Sequence, residues 1–418
     1  MRILWTVNII PRDYARALGR QGGTGGGWID AMLDQMRTKE DVQLYVACKN
    51  DVPKASAPCT QDGISYISLL YGQTQSLEEQ CQAILQQVKP DLVQIDGTEF
   101  PHATAMFQAA KSHSIPTLVS LQGVLNGLYP YECGELPLDE MMLSTSMTKM
   151  FAAWMLYLRK VIWFKPRMKA EKAILEQAEY VTGRTNWDRA HLYAINPKAR
   201  YFAVNRILRA PFYTAQWEIS RIERHSIYVG NGYYALKGLH FMLQALPLLV
   251  KEYPDVKLYV SGNKPFEEQD RRPLFKRGYG GYLKKLIKEN HLEKQVVFTG
   301  SLSAEQMVER FLKSHLYVLC STIENSPNTL GEAMLLGCPC VSAYAGGAPE
   351  MAEEGKEVLF YRSNDPALLA WSIKRIFDDD GLALALSQNA RSRAQQTHSP
   401  SLNSASLYNA YKVILSQP

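Results

Sequence analysis

Short runs of consecutive apolar residues recur along this chain, and longer stretches with helical spacing separate them. In the first half, 3–10, 42–48, 64–69, 92–95, 117–121 and 180–182 read as buried strands. Helical patterns such as 77–88 and 103–113 lie between them. The second half repeats the plan with strands at 226–229, 257–260, 295–298, 316–319, 340–342 and 358–360, and with helices at 239–252 and 279–290. Strands alternating with helices imply parallel, doubly wound sheets. The pattern therefore predicts an α/β protein with two Rossmann-like halves.

Length supports two halves, since 418 residues exceed what one hydrophobic core usually serves. The pattern loosens around 205–224, which sets a first domain at 1–205 and a second at 225–399. A Ser/Pro break precedes the tail 400–418. The 46% apolar and 21% charged fractions are those of a globular protein, and a net charge of +5 does not call for nucleic acid. Seven scattered cysteines argue against a disulfide framework and for a reducing cytoplasm. Cys338 and Cys340 form C-P-C without a second metal-ligating cluster near in sequence, so they read as small core residues beside a strand. Residues 1–7 read as a first strand rather than a signal peptide, and no apolar run is long enough to span a membrane. Asp378-Asp-Asp380 follows a helical pattern and reads as a solvated helix end, not a metal site.

The most specific chemistry lies in Glu324-Asn-Ser-Pro-Asn-Thr-Leu-Gly-Glu332 and the apolar stretch after it. Ser326 suits an N-cap and Pro327 the first helical position, and Gly337 suits a helix stop. This puts a helix N-terminus at the C-terminal end of a parallel strand, where open α/β sheets bind ligands. Free N–H groups there suit an anion such as a diphosphate. The carboxylates Glu324 and Glu332 suit sugar hydroxyls instead.

That stretch resembles the E-x7-E motif of the retaining glycosyltransferases of family 4, which have the GT-B fold. The likeness extends to Ala345-Gly-Gly-Ala-Pro-Glu-Met351 and to Gly355-Lys-Glu-Val-Leu-Phe360, where Val358 replaces a glycine of the family pattern. The resemblance implies two Rossmann-like domains facing across a cleft, with the tail 400–418 crossing back to the first. It gives Glu324 the hydroxyls of the transferred sugar and Glu332 the ribose. It places Asn325, Ser326, Asn328, Thr329, Leu330 and Asn231 against the donor, together with Gly262 and Gly300 at strand ends of the same half.

Tyr228-Val-Gly-Asn-Gly-Tyr-Tyr-Ala-Leu-Lys237-Gly238 resembles the family's V-G-R … K-G segment, whose Arg and Lys hold the diphosphate. Lys237 matches the Lys, but Asn231 stands where the Arg is expected. Lys264, Arg271 or Arg272 could supply the second cation, and the sequence does not choose among them. Gly25, Gly26 and Gly27 belong to a glycine-rich turn that resembles the cleft glycines of the family and fits neither a dinucleotide fingerprint nor a P-loop. Asp96-Gly-Thr-Glu-Phe-Pro-His102 and Gln122 follow strand ends. Glu99 and Gln122 are read as acceptor-side residues, and His102 as a catalytic contact or a structural histidine. Gly183-Arg-Thr-Asn-Trp-Asp-Arg189 resembles a subgroup acting in bacterial surface-polysaccharide assembly.

In 149–172 basic and aromatic residues interleave, as in an interfacial helix that meets anionic lipid. Trp154, Leu158 and Trp163 would insert, and Arg159, Lys160 and Lys165 would attract. Packing of the same helix on the first domain is the alternative. The expectation is a cytoplasmic, metal-independent, retaining glycosyltransferase of the hexosyltransferase class. It needs no cofactor and takes a nucleotide diphosphate sugar to a glycan or lipid-linked acceptor, with peripheral membrane contact left open. A GT-B nucleotide-sugar epimerase and a non-catalytic sugar-nucleotide-binding subunit are the rivals.

Overall fold

The computed structural model describes residues 1–19, 27–50, 59–72, 75–262, 264, 266 and 274–417. It divides into two compact units. One comprises Met1–Gly127, Pro166–Arg209 and His398–Pro418, and the other Leu128–Lys165 and Ala210–Thr397.

The first unit is built on one sheet. Its strands are β1 (Arg2–Val7), β2 (Gln43–Asn50), β3 (Cys59–Gln61), β4 (Ile64–Leu70), β5 (Leu92–Asp96), β6 (Thr117–Ser120), β7 (Tyr180–Gly183) and β8 (Arg200–Ala203). Their order is β3-β4-β2-β1-β5-β6-β7-β8. All neighbours run parallel except β3 and β4, which pair antiparallel. The central strands are apolar on both faces because helices cover both. Leu4, Val93 and Val119 pack toward the helices Leu77–Val88 and Pro101–Ser112. Ile3, Trp5 and Val46 pack toward Gly27–Met36 and the C-terminal helix Pro400–Leu415. Tyr411 of that last helix accepts a hydrogen bond from Trp5 Nε1 at 2.9 Å and donates to Gln94 Oε1 at 2.5 Å.

The second unit holds β9 (Glu223–Val229), β10 (Lys257–Ser261), β11 (Val296–Gly300), β12 (Ser314–Leu319), β13 (Cys340–Ala343) and β14 (Leu359–Tyr361). They form a parallel sheet in the order β11-β10-β9-β12-β13-β14. The chain moves outward from β9 in one direction through β10 and β11, then returns to add β12 on the other side. Between β9 and β12 the order reverses, which opens a crevice at their C-terminal ends.

Three features differ from the sequence-based expectation. The edge strands β3 and β8 carry too little apolar signal to be read. The helix after Glu324 is Asn328–Leu336, with Pro327 as its N-cap residue and without a side-chain cap. Ser326 therefore does not cap it, and its hydroxyl lies 3.8 Å from Met351 Sδ instead. Residues 128–165, read as part of the first domain, cluster with the second unit. The physical reason is a helix pair. Met147–Leu158 packs along Leu274–Glu289, where a Cβ at Gly278 would come within 3.0 Å of Ala152 Cα. His240, wholly buried, adds a bond from its Nε2 to the carbonyl of Gly134 at 3.1 Å.

Candidate active site

In the second unit a cavity of about 140 Å³ lies at the β9/β12 crevice, lined by Val229, Gly230, Asn231, Lys237, Tyr317 and Thr329 among others. Lys237 ends the short 3-10 turn Ala235–Lys237. Gly238 follows it with φ +69°, and a Cβ there would collide with the Cys320 carbonyl. Only glycine lets this turn lie so close on the end of β12. The Thr322 amide donates to the Leu236 carbonyl at 2.9 Å and Cys320 Sγ to the Lys237 carbonyl at 3.3 Å. The β9 loop and the β12 loop are thus tied together.

That tie brings Lys237 Nζ to 2.5 Å from Glu324 Oε1, which also accepts from Ser321 Oγ at 2.7 Å. The backbone of Glu324 is held from the far side. Its carbonyl accepts from the Gly347 amide at 2.9 Å, and Gly346, at φ +55°, packs where a Cβ would strike that same carbonyl. The Gly-Gly pair after β13 therefore positions the first glutamate of the motif. Ser321, Thr322 and this backbone cradle were not read from the sequence as site residues, although the Gly-Gly spacing carried the signal.

The other residues expected on the donor side differ in what they can offer a ligand. Thr329 accepts from Tyr317 Oη at 2.9 Å and faces the cavity. The first turn of an α-helix has no internal partners for its N–H groups, which leaves those of Asn328 and Thr329 directed out of the helix start. Leu330 is wholly buried and its amide already donates to the Pro327 carbonyl at 3.1 Å, so neither its side chain nor its N–H is available. Asn325 and Glu332 are buried, Glu332 one turn behind Asn328 at 3% exposure. Asn231 lines the cavity, but its Oδ1 accepts from the Tyr233 amide at 2.9 Å and closes its own loop. Gly262, just past β10, bridges to Gly300 at the end of β11, its amide donating to the Gly300 carbonyl at 2.8 Å. Lys264 is exposed, while Arg271 and Arg272 lie outside the described residues. Burial pushes the Cys320 thiol up to about 12, so the one cysteine at the cavity stays protonated and is not a nucleophile.

In the first unit Gly25 and Gly26 lie outside the described residues, and Gly27 starts a helix against the Arg209 side chain. Asp96 ends β5, and the loop after it carries Glu99 and leads into the helix that holds His102. His102 is 1% exposed on the first turn of Pro101–Ser112. Its Nδ1 is 2.6 Å from Tyr71 Oη, its ring stacks on Phe100, and its Nε2 is buried without a hydrogen-bond partner among the described residues. Burial and Lys49 push this imidazole down to about 4, which keeps it neutral near pH 7. Burial raises the carboxyls of Asp96 and Glu99 and lowers Arg184 and Arg206, whose opposite charges partly offset the desolvation. Arg184 Nη2 donates to the Gln122 carbonyl at 2.7 Å, which fixes the loop after β6. Glu171, pushed up to about 8 by burial, accepts from Thr98 Oγ1 and the Leu125 amide and fastens the two loops to each other. From the sequence, Arg184 figures only within the string Gly183–Arg189, and no site role attaches to it, Arg206 or Glu171, since a lone buried charge has no periodic signature.

Residues 212–393 match the family model described as Glycosyl transferases group 1. Spore coat protein SA of Bacillus subtilis is 32% identical over 124 residues, 29% of this chain and 30% of that protein. The D-inositol 3-phosphate glycosyltransferase of Corynebacterium urealyticum is 27% identical over 161 residues, 38% of this chain and 36% of that protein. The matched stretch thus spans less than half the length of either relative. Among solved structures, sucrose-phosphate synthase from Thermosynechococcus elongatus superposes with a TM-score of 0.73 at 15% identity, over 100% of this chain and 99% of that one. Anabaena Alr3699/HepE, solved in complex with UDP, gives 0.68 at 17% identity over 99% and 100%. At such identities these likenesses establish the fold. The chain has the GT-B fold, and within it residues 212–393 match the group 1 glycosyl transferase model.

Proposed function

We propose that this protein is a retaining glycosyltransferase that moves a hexosyl group from a nucleoside diphosphate sugar to a glycan or lipid-linked acceptor in cell-surface polysaccharide synthesis. The observation that carries the reading is the meeting of Lys237, Glu324 and the start of the Asn328–Leu336 helix around one cavity at the strand-order reversal. Breaking the anomeric C–O bond leaves negative charge on the departing diphosphate. Lys237 Nζ and the N–H groups of Asn328 and Thr329 would stabilise it, so no metal or cofactor is required. Removing one preorganised donor of this kind costs on the order of 3 kcal/mol in the barrier. When the donor binds, its phosphates take over Lys237, and Glu324 turns to the hydroxyls of the transferred sugar. The acceptor attacks from the leaving-group side and the diphosphate takes its proton, which accounts for retention without a dedicated base. The solved HepE complexes contain UDP and UDP-glucose, which favours a uridine nucleotide here.

A thermal-shift series against UDP-, GDP-, ADP- and dTDP-sugars tests the donor, since a ligand stabilises in proportion to the logarithm of its concentration over Kd. The expected result is a shift with one nucleotide class and release of its diphosphate only when acceptor is added. Conversion of the nucleotide sugar without acceptor would establish an epimerase instead, and binding without any turnover a non-catalytic subunit.

A further inference from the structure

We propose that the outward face of residues 143–165 docks on an anionic lipid bilayer. Met147–Leu158 is apolar nearly all round, a pattern that belongs to helices covered on every side. Its inner face is covered. Ala152, Ala153 and Leu156 are buried, and the helix lies along Leu274–Glu289. Its outer face is not. Leu143, Met147, Phe151, Trp154, Leu158 and Ile162 follow at steps of three or four residues, and all six are exposed, with Leu143 at 87%, Met147 at 71% and Ile162 at 69%. The π-helical segment Arg159–Phe164 carries the stripe past the end of the α-helix. A continuous exposed apolar stripe of this length marks an interaction surface.

The flanking chemistry identifies the occupant. Trp154, Tyr157 and Trp163 are exposed along the stripe, and amphipathic rings at such positions suit the headgroup level of a membrane. Around the stripe stand Lys149 and Lys165, with Lys284 and Lys288 exposed on the neighbouring helix. Among the described residues, the acids nearby are Asp139, Glu140 and Glu289, the last 3.5 Å from Lys285. Among the described residues, cations thus exceed acids at the rim, which favours an anionic surface. A second copy of this chain fits less well, because a two-fold interface would set the same lysines against one another. The structure also corrects which cations serve. Arg159 pairs with the buried Glu132 and lies over the rings of Trp163 and Tyr234, and Lys160 donates to the Pro130 carbonyl. Those two fasten the segment to its own unit, so attraction falls to Lys149, Lys165, Lys284 and Lys288.

The inference draws on the transferase reading only for the idea of an acceptor held at a membrane, and its test needs no catalysis. The full chain is floated with vesicles of equal parts phosphatidylcholine and phosphatidylglycerol, and with phosphatidylcholine vesicles alone. Binding is expected to the first at low salt, to weaken at high salt and to be lost on the second. The variant carrying Phe151→Ser, Trp154→Ser and Ile162→Ser should lose binding by at least about tenfold while keeping the wild-type melting temperature, because these side chains are exposed. Replacing Lys149, Lys165, Lys284 and Lys288 with Gln should abolish the preference for the anionic vesicles. Wild-type protein that stays unbound at low salt overturns the proposal. So does a doubled solution mass that Trp154→Glu restores to a single chain. A UDP-sugar thermal shift on the same samples reports on the transferase reading separately.

Discussion

Lys237 and Glu324 neutralise each other at 2.5 Å, and this pairing separates two mutants that a simple binding picture would treat alike. In the proposed reaction, Glu324→Ala removes a carboxylate that would compete with the donor phosphates for Lys237. UDP should then bind as well as before or more tightly, while turnover falls by about 10²–10³-fold, the loss typical of one preorganised polar group. Glu332→Ala should do the reverse and raise the Kd for UDP by about tenfold with a smaller effect on kcat. Isothermal titration with UDP and steady-state kinetics decide this, and equal losses in both variants would void the assignment. A second residue-scale consequence follows from burial. Desolvation pushes His240 down to about 3 and His102 and His315 down to about 4. Each is neutral in the folded chain and takes up a proton on unfolding below its ordinary value of about 6.5. The unfolded state then binds more protons, so stability must fall as pH drops from about 6.5 toward 4. His240→Gln should flatten that slope by up to ~1.4 kcal/mol per pH unit in urea unfolding between about pH 7 and pH 5. An unchanged slope would mean that His240 is charged in the fold.

At the scale of elements, the loops after β9 and β12 make the site, and a glycine lets them meet. Gly238→Ala must adopt φ +69° and place its methyl on the Cys320 carbonyl. A cost of at least about 2 kcal/mol is expected, together with displacement of Lys237 and loss of UDP binding. Wild-type UDP affinity in a melted-down but folded Gly238→Ala would show that the turn does not position the lysine. This element is also where sequence reasoning fared best and worst. The strands came within a few residues because both-face burial turns them into continuous apolar runs such as Leu316–Leu319. The helix after Glu324 was legible, but its start was not. Ser326 looked like a cap by residue type, yet the cap position fell to Pro327, and the Ser326 hydroxyl turned toward Met351. The polar edge strand Cys59–Gln61 had no pattern to read. The assignment of 128–165 to the second unit depends on which helix meets Met147–Leu158, and spacing along one helix does not name its partner.

On the scale of the whole molecule, each unit is assembled from separate stretches of chain, and the first depends on the last. Leu407, Tyr411 and Ile414 are buried in the layer that contains Trp5, and His398 Nδ1 lies 3.0 Å from the carbonyl of Arg206. Full burial of one such side chain is worth roughly 1.5–3 kcal/mol, so three together approach the entire stability of an ordinary domain at about 5–15 kcal/mol. Deleting residues 398–418 should therefore unfold the first unit. The second unit keeps all of its strands, the Lys237–Glu324 pair and the helix start in the shortened chain, so it should still fold and bind UDP. Limited proteolysis of the truncated protein should leave a resistant core made of two fragments, one covering Leu128–Lys165 and one beginning near Ala210, and UDP should raise the melting temperature of that core. Loss of both units on truncation would show that the second unit does not fold without the first.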